Sequence, residues 1–145
     1  MTALCMTFLC VLVVDQTIKL MLRRLSRDDA VALGAGEGLR VWTARILLAR
    51  LDSRLEGSFM WCIWVAAAVT LLIAETLTSF SPVLVGLLLG GSFSQALETS
   101  MRGSVTDCIC GRAGRALNFA DLALAAGALG LTGELVIFTG QLAAG

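Results

Sequence analysis

The chain contains no histidine. That absence excludes a Ser-His-Asp triad, a Cys-His dyad and most zinc sites. Proline occurs once in 145 residues, so long helices meet few breaks. Charged residues are scarce, at 15% of the chain against about 25% in an average soluble domain. Eleven basic and eleven acidic residues balance to zero, so no global field recruits nucleic acid. Cysteine is present five times but forms no framework. Cys5, Cys10 and Cys62 sit in apolar runs and read as small buried hydrophobes. Cys108 and Cys110, in C-I-C, read as free thiols near a membrane surface rather than as metal ligands or a disulfide.

What the chain has in abundance is apolar surface: 57% of residues are hydrophobic and mean hydropathy is +0.86. This composition excludes a disordered protein, a collagen-like repeat and a disulfide-stapled mini-domain. It points to an integral membrane protein. A hydrocarbon layer of about 30 Å needs roughly 20 mostly apolar helical residues. Four stretches qualify: about 2–22, 58–77, 82–99 and 120–142. The first lacks a basic start, and Arg23 and Arg24 follow it instead of an A-x-A site, so it reads as a retained helix.

The predicted architecture is an all-α membrane protein, one domain over 1–145. It is a four-transmembrane-helix bundle with a small extramembrane subdomain, 23–57, between helices 1 and 2. Within that subdomain L-G-A-G-E-G reads as a turn-rich loop. Residues 41–55 fit an amphipathic surface helix, and two short strands fit nearly as well. T-S-F-S before Pro82 is a tight turn leading into a helix start. Gly86 and Gly90, with Ala123, Gly127, Gly130 and Gly133, are small residues that let helices approach closely.

All eleven cationic side chains lie at or beyond one membrane face, on the side of the two large loops. The positive-inside rule therefore places those loops in the cytoplasm and both termini outside.

Ionisable groups inside spans point to function by default. Asp15 and Lys19 are four apart, so they share a helix face and can pair. Such a pair serves a site, or is simply neutralised near a helix end with Lys19 snorkelling. Glu75 reads as snorkelling. Glu134 lies thirteen residues beyond Asp121, roughly 20 Å along a helix, too far to cooperate with it.

Asp107 and Asp121 are the more informative pair. They flank the short connection between spans three and four, so both can sit at one mouth of the bundle. Two carboxylates at a partly dehydrated site do not ionise together easily, and their proton affinities split. One then takes a proton from water while the other donates to a scissile carbonyl. This chemistry needs no metal and no cofactor. The competing reading is two solvated loop aspartates with no joint role.

Three motifs resemble the signal peptidase II (lipoprotein signal peptidase) family. V-V-D-Q-T-I-K is similar to the family's D-Q-x-x-K. G-G-S-F-S-Q-A-L-E-T-S-M-R-G-S-V-T-D aligns without a gap to G-G-A-x-G-N-x-x-D-R-x-x-x-G-x-V-x-D. N-F-A-D matches F-N-x-A-D at Asn118, Ala120 and Asp121. The resemblance implies a polytopic aspartic endopeptidase with Asp107 and Asp121 as its catalytic dyad. By the same resemblance Asn118 supports the dyad, and Asp15 and Lys19 are polar residues near the active site. It further implies membrane lipids and a lipidated or membrane-anchored protein as partners. Cleavage would fall at the outer face of the cytoplasmic (inner) membrane, just before the lipid-modified cysteine, with both termini cytoplasmic. That orientation opposes the arginine distribution.

The chain departs from the family pattern at Gln95, Glu98 and Thr99, where the pattern has Asn, Asp and Arg. The family's first-loop N-x-G-A-A-F has no counterpart between Arg40 and Phe59. Gln95 keeps polar character and remains a substrate-binding or supporting candidate. A degenerate relative that binds a partner without cutting is the alternative. A Ser–Lys peptidase using Lys19 with Ser92 or Ser94, and an ion carrier using Asp15, Glu75 and Glu134, are further readings.

Overall fold

The computed structural model describes residues 1–28, 42–44, 53–78, 80–102, 105–107, 109–110 and 116–144, and side chains over 1–24, 59–78, 80–101, 117–141 and at 143. Among the described residues four helices dominate: α1 (Thr2–Asp28), α2 (Ser53–Thr78), α3 (Pro82–Arg102) and α4 (Phe119–Ala144). The described residues between them include the short strands β1 (Trp42–Ala44), β2 (Val105–Asp107), β3 (Ile109–Cys110) and β4 (Ala116–Leu117).

Among the described residues, three helical segments are long and apolar enough to cross a membrane: Thr2–Arg24, Phe59–Thr78 and Phe119–Gln141. α3 is comparably long, but its last turns carry Ser92, Ser94, Gln95, Glu98 and Thr99. It is the central helix, packed against α1, α4 and α2. Val85, Leu89, Ser94, Ala96 and Glu98 are all buried there. The outward faces are the reverse of a soluble protein's. Ile63, Val69, Ile73, Leu129, Val136 and Ile137 are exposed, as suits a surface solvated by lipid.

Close helix contact depends on glycine. A Cβ on Gly90 would stand 2.9 Å from the Phe8 carbonyl oxygen of α1, and one on Gly91 2.8 Å from the Ala120 carbonyl oxygen of α4. α3 thus touches a neighbour's backbone on each side. Gly133, expected in the same packing stripe, would meet nothing within 4 Å. It faces outward.

α3 starts as its sequence predicts. The Ser81 carbonyl accepts the N–H of Leu84 (3.0 Å) and Val85 (3.2 Å), which puts Pro82 at the first helical position. Glu134 Oε2 accepts the Ser81 N–H at 2.9 Å. That explains Glu134: it closes the α2–α3 turn.

α1 extends to Asp28 and α2 begins at Ser53, so both helices run past their apolar stretches, Thr2–Arg24 and Phe59–Thr78, into the segment 23–57. Two expectations are corrected. A helix over 41–55 fails at Trp42–Ala44. There β1 pairs antiparallel with β2, with Trp42 opposite Asp107 and Ala44 opposite Val105. The β-branched Thr43, Val105 and Thr106 favour that pairing. β3 and β4 form a second antiparallel pair, Ile109 opposite Leu117. Finally, Cys5, Cys10 and Cys62 are exposed on outer helix faces, not buried. An apolar run does not by itself tell a lipid-facing position from a core one. The L-G-A-G-E-G loop, Cys108 and the surface-helix reading of 45–52 lie outside the described residues.

Candidate active site

α4 begins with a reciprocal cap. Asn118 Oδ1 accepts the Asp121 N–H at 2.8 Å, and Asp121 Oδ2 accepts the Asn118 N–H at 2.9 Å. This is the logic of a capping box, with Asn118 as N-cap and Asp121 three residues on. It fixes the Asp121 side chain at the helix mouth. Gln95 of α3 donates its side-chain amide to the other oxygen, Asp121 Oδ1. Asn118 is buried and Asp121 half-buried.

Directly beneath lies a buried polar network. Asp15 and Lys19 are both 0% exposed. Lys19 Nζ is 2.7 Å from Asp15 Oδ2 and 2.9 Å from Glu98 Oε2. Arg23, one further turn along α1, pairs with Glu98 Oε1. Residues 15, 19 and 23 follow i, i+4, i+8 spacing and share one helix face. Two cations thus meet two carboxylates, which is the condition for keeping charge in an apolar interior. Asp15 also accepts from the Ser94 hydroxyl (2.6 Å, Oδ2) and from the Ala120 N–H (2.9 Å, Oδ1). Gln16 Nε2 donates to Ser94 Oγ at 2.7 Å.

Asp15, Lys19, Gln95, Asn118 and Asp121 therefore gather where α1, α3 and α4 meet. Lys19 does not snorkel; burial between two carboxylates replaces that reading. Asp107 ends β2, which packs on α3, and its backbone pairs with Trp42. Its side chain lies outside the described residues. Ser94 and Lys19 do converge, both on Asp15 Oδ2. Lys19 is held there as a counter-ion to two carboxylates and Ser94 is fully buried, so a Ser–Lys nucleophile has neither a base nor access. Of the acids in the ion-carrier reading, Asp15 accepts the Ala120 N–H and Glu134 the Ser81 N–H, two contacts at separate places in the bundle.

A cavity of about 270 Å³ lies between α2 and α3, lined among others by Met60, Trp64, Ala67, Leu89, Ser92 and Gln95. Its wall is mostly apolar, but it reaches the residue that binds Asp121. Trp64 Nε1 donates to Ser92 Oγ at 3.0 Å. Phe93 stacks edge-on with Trp61, Trp64 and Phe8, which ties α2 to the bundle.

The sequence matches the signal peptidase (SPase) II family model over residues 7–137. The chain belongs to the signal peptidase II family. As a member it is a multi-pass membrane protein of a peptidase family. Two solved structures of a bacterial membrane enzyme, determined by the in meso method, share its fold. One has a TM-score of 0.69 at 17% identity, covering 93% of this chain and 93% of that one. The other has a TM-score of 0.68 at 17% identity, covering 96% of this chain and 90% of that one. Among curated proteins none matches the chain by sequence.

The departures from the family pattern acquire a geometry in this signal peptidase II relative. Gln95 bonds Asp121 directly. Glu98 takes Lys19 and Arg23 as partners. Thr99 turns its hydroxyl back to the Gln95 carbonyl at 2.8 Å. Arg23 was not among the sequence-derived candidates, and Ser94 entered only as an alternative nucleophile, not as a partner of Asp15. The 15/19/23 spacing was the available signal for Arg23.

Proposed function

We propose that this chain is an intramembrane aspartic endopeptidase that cleaves a lipidated or membrane-anchored protein near the outer membrane interface. Asp107 and Asp121 form the dyad and share one proton between them. The ionised carboxylate takes a proton from the attacking water and later passes it to the leaving nitrogen; the protonated one donates to the scissile carbonyl oxygen and recovers that proton as the C–N bond breaks. Gln95 and Asn118 orient Asp121, and the α2–α3 cavity receives the apolar part of the substrate. α3 crosses the membrane with the other three helices. The protein sits in the cytoplasmic membrane with both termini inside.

The observation that carries this reading is the fixed carboxylate of Asp121. It is half-buried at the bundle mouth and bonded by Gln95, a wall residue of the cavity. The test is cleavage of a lipidated peptide by the purified chain. Asp107→Asn and Asp121→Asn should each abolish turnover while the protein still inserts. Normal turnover by either variant rejects the dyad. A reporter fused after Gly145 reads the orientation.

A second reading, a non-cleaving subunit that binds a protein or lipid partner, has one specific observation in its favour. Both oxygens of Asp121 already accept bonds from Gln95 and Asn118, as a purely structural cap would require. It predicts that the asparagine variants keep biological activity and that the chain co-purifies with a partner.

A further inference from the structure

Ser94 is fully buried on the central helix. Its neighbour Ser92 returns its hydroxyl to the Leu88 carbonyl of its own helix, at 2.6 Å. This is the usual fate of serine in a helix. Ser94 instead reaches across to α1. Its hydroxyl donates to Asp15 Oδ2 at 2.6 Å and accepts from Gln16 Nε2 at 2.7 Å. The family pattern to which 90–107 aligns has glycine at this position, so the hydroxyl is a feature of this chain.

The bond closes a ring. From Asp121 it passes through the Gln95 amide, one peptide unit to Ser94, the Ser94 hydroxyl, the Asp15 carboxylate and the Ala120 N–H. One peptide unit returns it to Asp121. The residues immediately before Gln95 and Asp121 are thus clamped to one carboxylate, whose charge is balanced by Lys19 at 2.7 Å. A ring of short bonds between rigid helices leaves Gln95 and Asp121 little freedom to separate.

We propose that Ser94, acting through Asp15, is a positioning residue that sets the geometry between Gln95 and Asp121. This rests on the reading of Asp121 as a catalytic residue. Ser94 touches no substrate; it holds the turn that carries Gln95 against the start of α4.

The test pairs kinetics with hydrogen exchange on the full chain in nanodiscs. Ser94→Ala removes the hydroxyl and no charge. It should lower kcat about tenfold, the scale of one buried hydrogen bond, with KM within about twofold. On a Gln95→Ala background the same change should cost less than about twofold, because the Gln95–Asp121 contact whose geometry it sets is already gone. The Ala120 amide should exchange several-fold faster in Ser94→Ala, while the middle of α4 is unchanged.

Full kcat in Ser94→Ala, or losses that simply multiply in the double variant, overturns the positioning role. If Asp121→Asn abolishes cleavage in that same experiment, the peptidase reading stands without it. If Asp121→Asn cleaves normally, the peptidase reading fails, and the exchange measurement decides the clamp. Unchanged exchange at Ala120 then overturns it.

Discussion

Asp15 Oδ1 accepts the backbone N–H of Ala120 at 2.9 Å, joining the middle of α1 to the first turn of α4. Residues distant in sequence are held by one buried carboxylate, and the candidate catalytic Asp121 is the next residue along. The stability of the bundle and the geometry of its site therefore share the same atoms.

Lys19 is the counter-ion of this arrangement. Lys19→Met leaves Asp15 and Glu98 facing each other with one cation fewer. Removing one partner of a buried pair costs about 3–5 kcal/mol. We expect a loss of that size in reversible unfolding from mixed micelles. Lys19→Met combined with Glu98→Gln should recover part of it, because it removes the stranded charge.

Helix contact at glycine gives a second expectation. Gly90→Ala places a methyl 2.9 Å from the Phe8 carbonyl oxygen, and the backbone of α1 must give way. Overpacking of this kind costs about 1–3 kcal/mol. Gly133→Ala, in open space, should change stability by no more than about 0.5 kcal/mol. Equal effects at the two glycines in the same unfolding assay contradict the packing described above.

The cavity between α2 and α3 makes a kinetic prediction. Ala67→Phe projects a ring into it from α2, on the wall that faces Gln95 across the gap. KM for a lipidated peptide should rise while kcat stays near the original value, the signature of lost ground-state binding. An unchanged KM means the substrate lies elsewhere.

The helices were legible in the sequence because hydropathy and length decide spans, and a continuous apolar run of about 20 residues satisfies its own backbone in lipid as a helix. The Asp15–Lys19 pair was legible because i, i+4 spacing is local geometry. The partners across helices were not. Glu98 meets Lys19 and Arg23 only once α1 and α3 pack, and nothing local distinguishes Ser94 from Ser92 or Ser100, which bond their own helix. The β1–β2 pairing escaped for a similar reason: three residues carry no usable periodicity, and their partner is far along the chain. The outward placement of Cys5, Cys10 and Cys62 depends on helix rotation, which a uniformly apolar span does not encode.

The most direct test of the dyad is the separation of the Asp107 and Asp121 carboxylates in a crystal structure of the protein in a lipid mesophase. A shared proton requires them within about 3–5 Å of each other, or bridged by a single water. The account predicts that arrangement, with Gln95 and Asn118 still on Asp121. Carboxylates directed away from each other, with no rotamer of Asp107 able to reach Asp121, would contradict it.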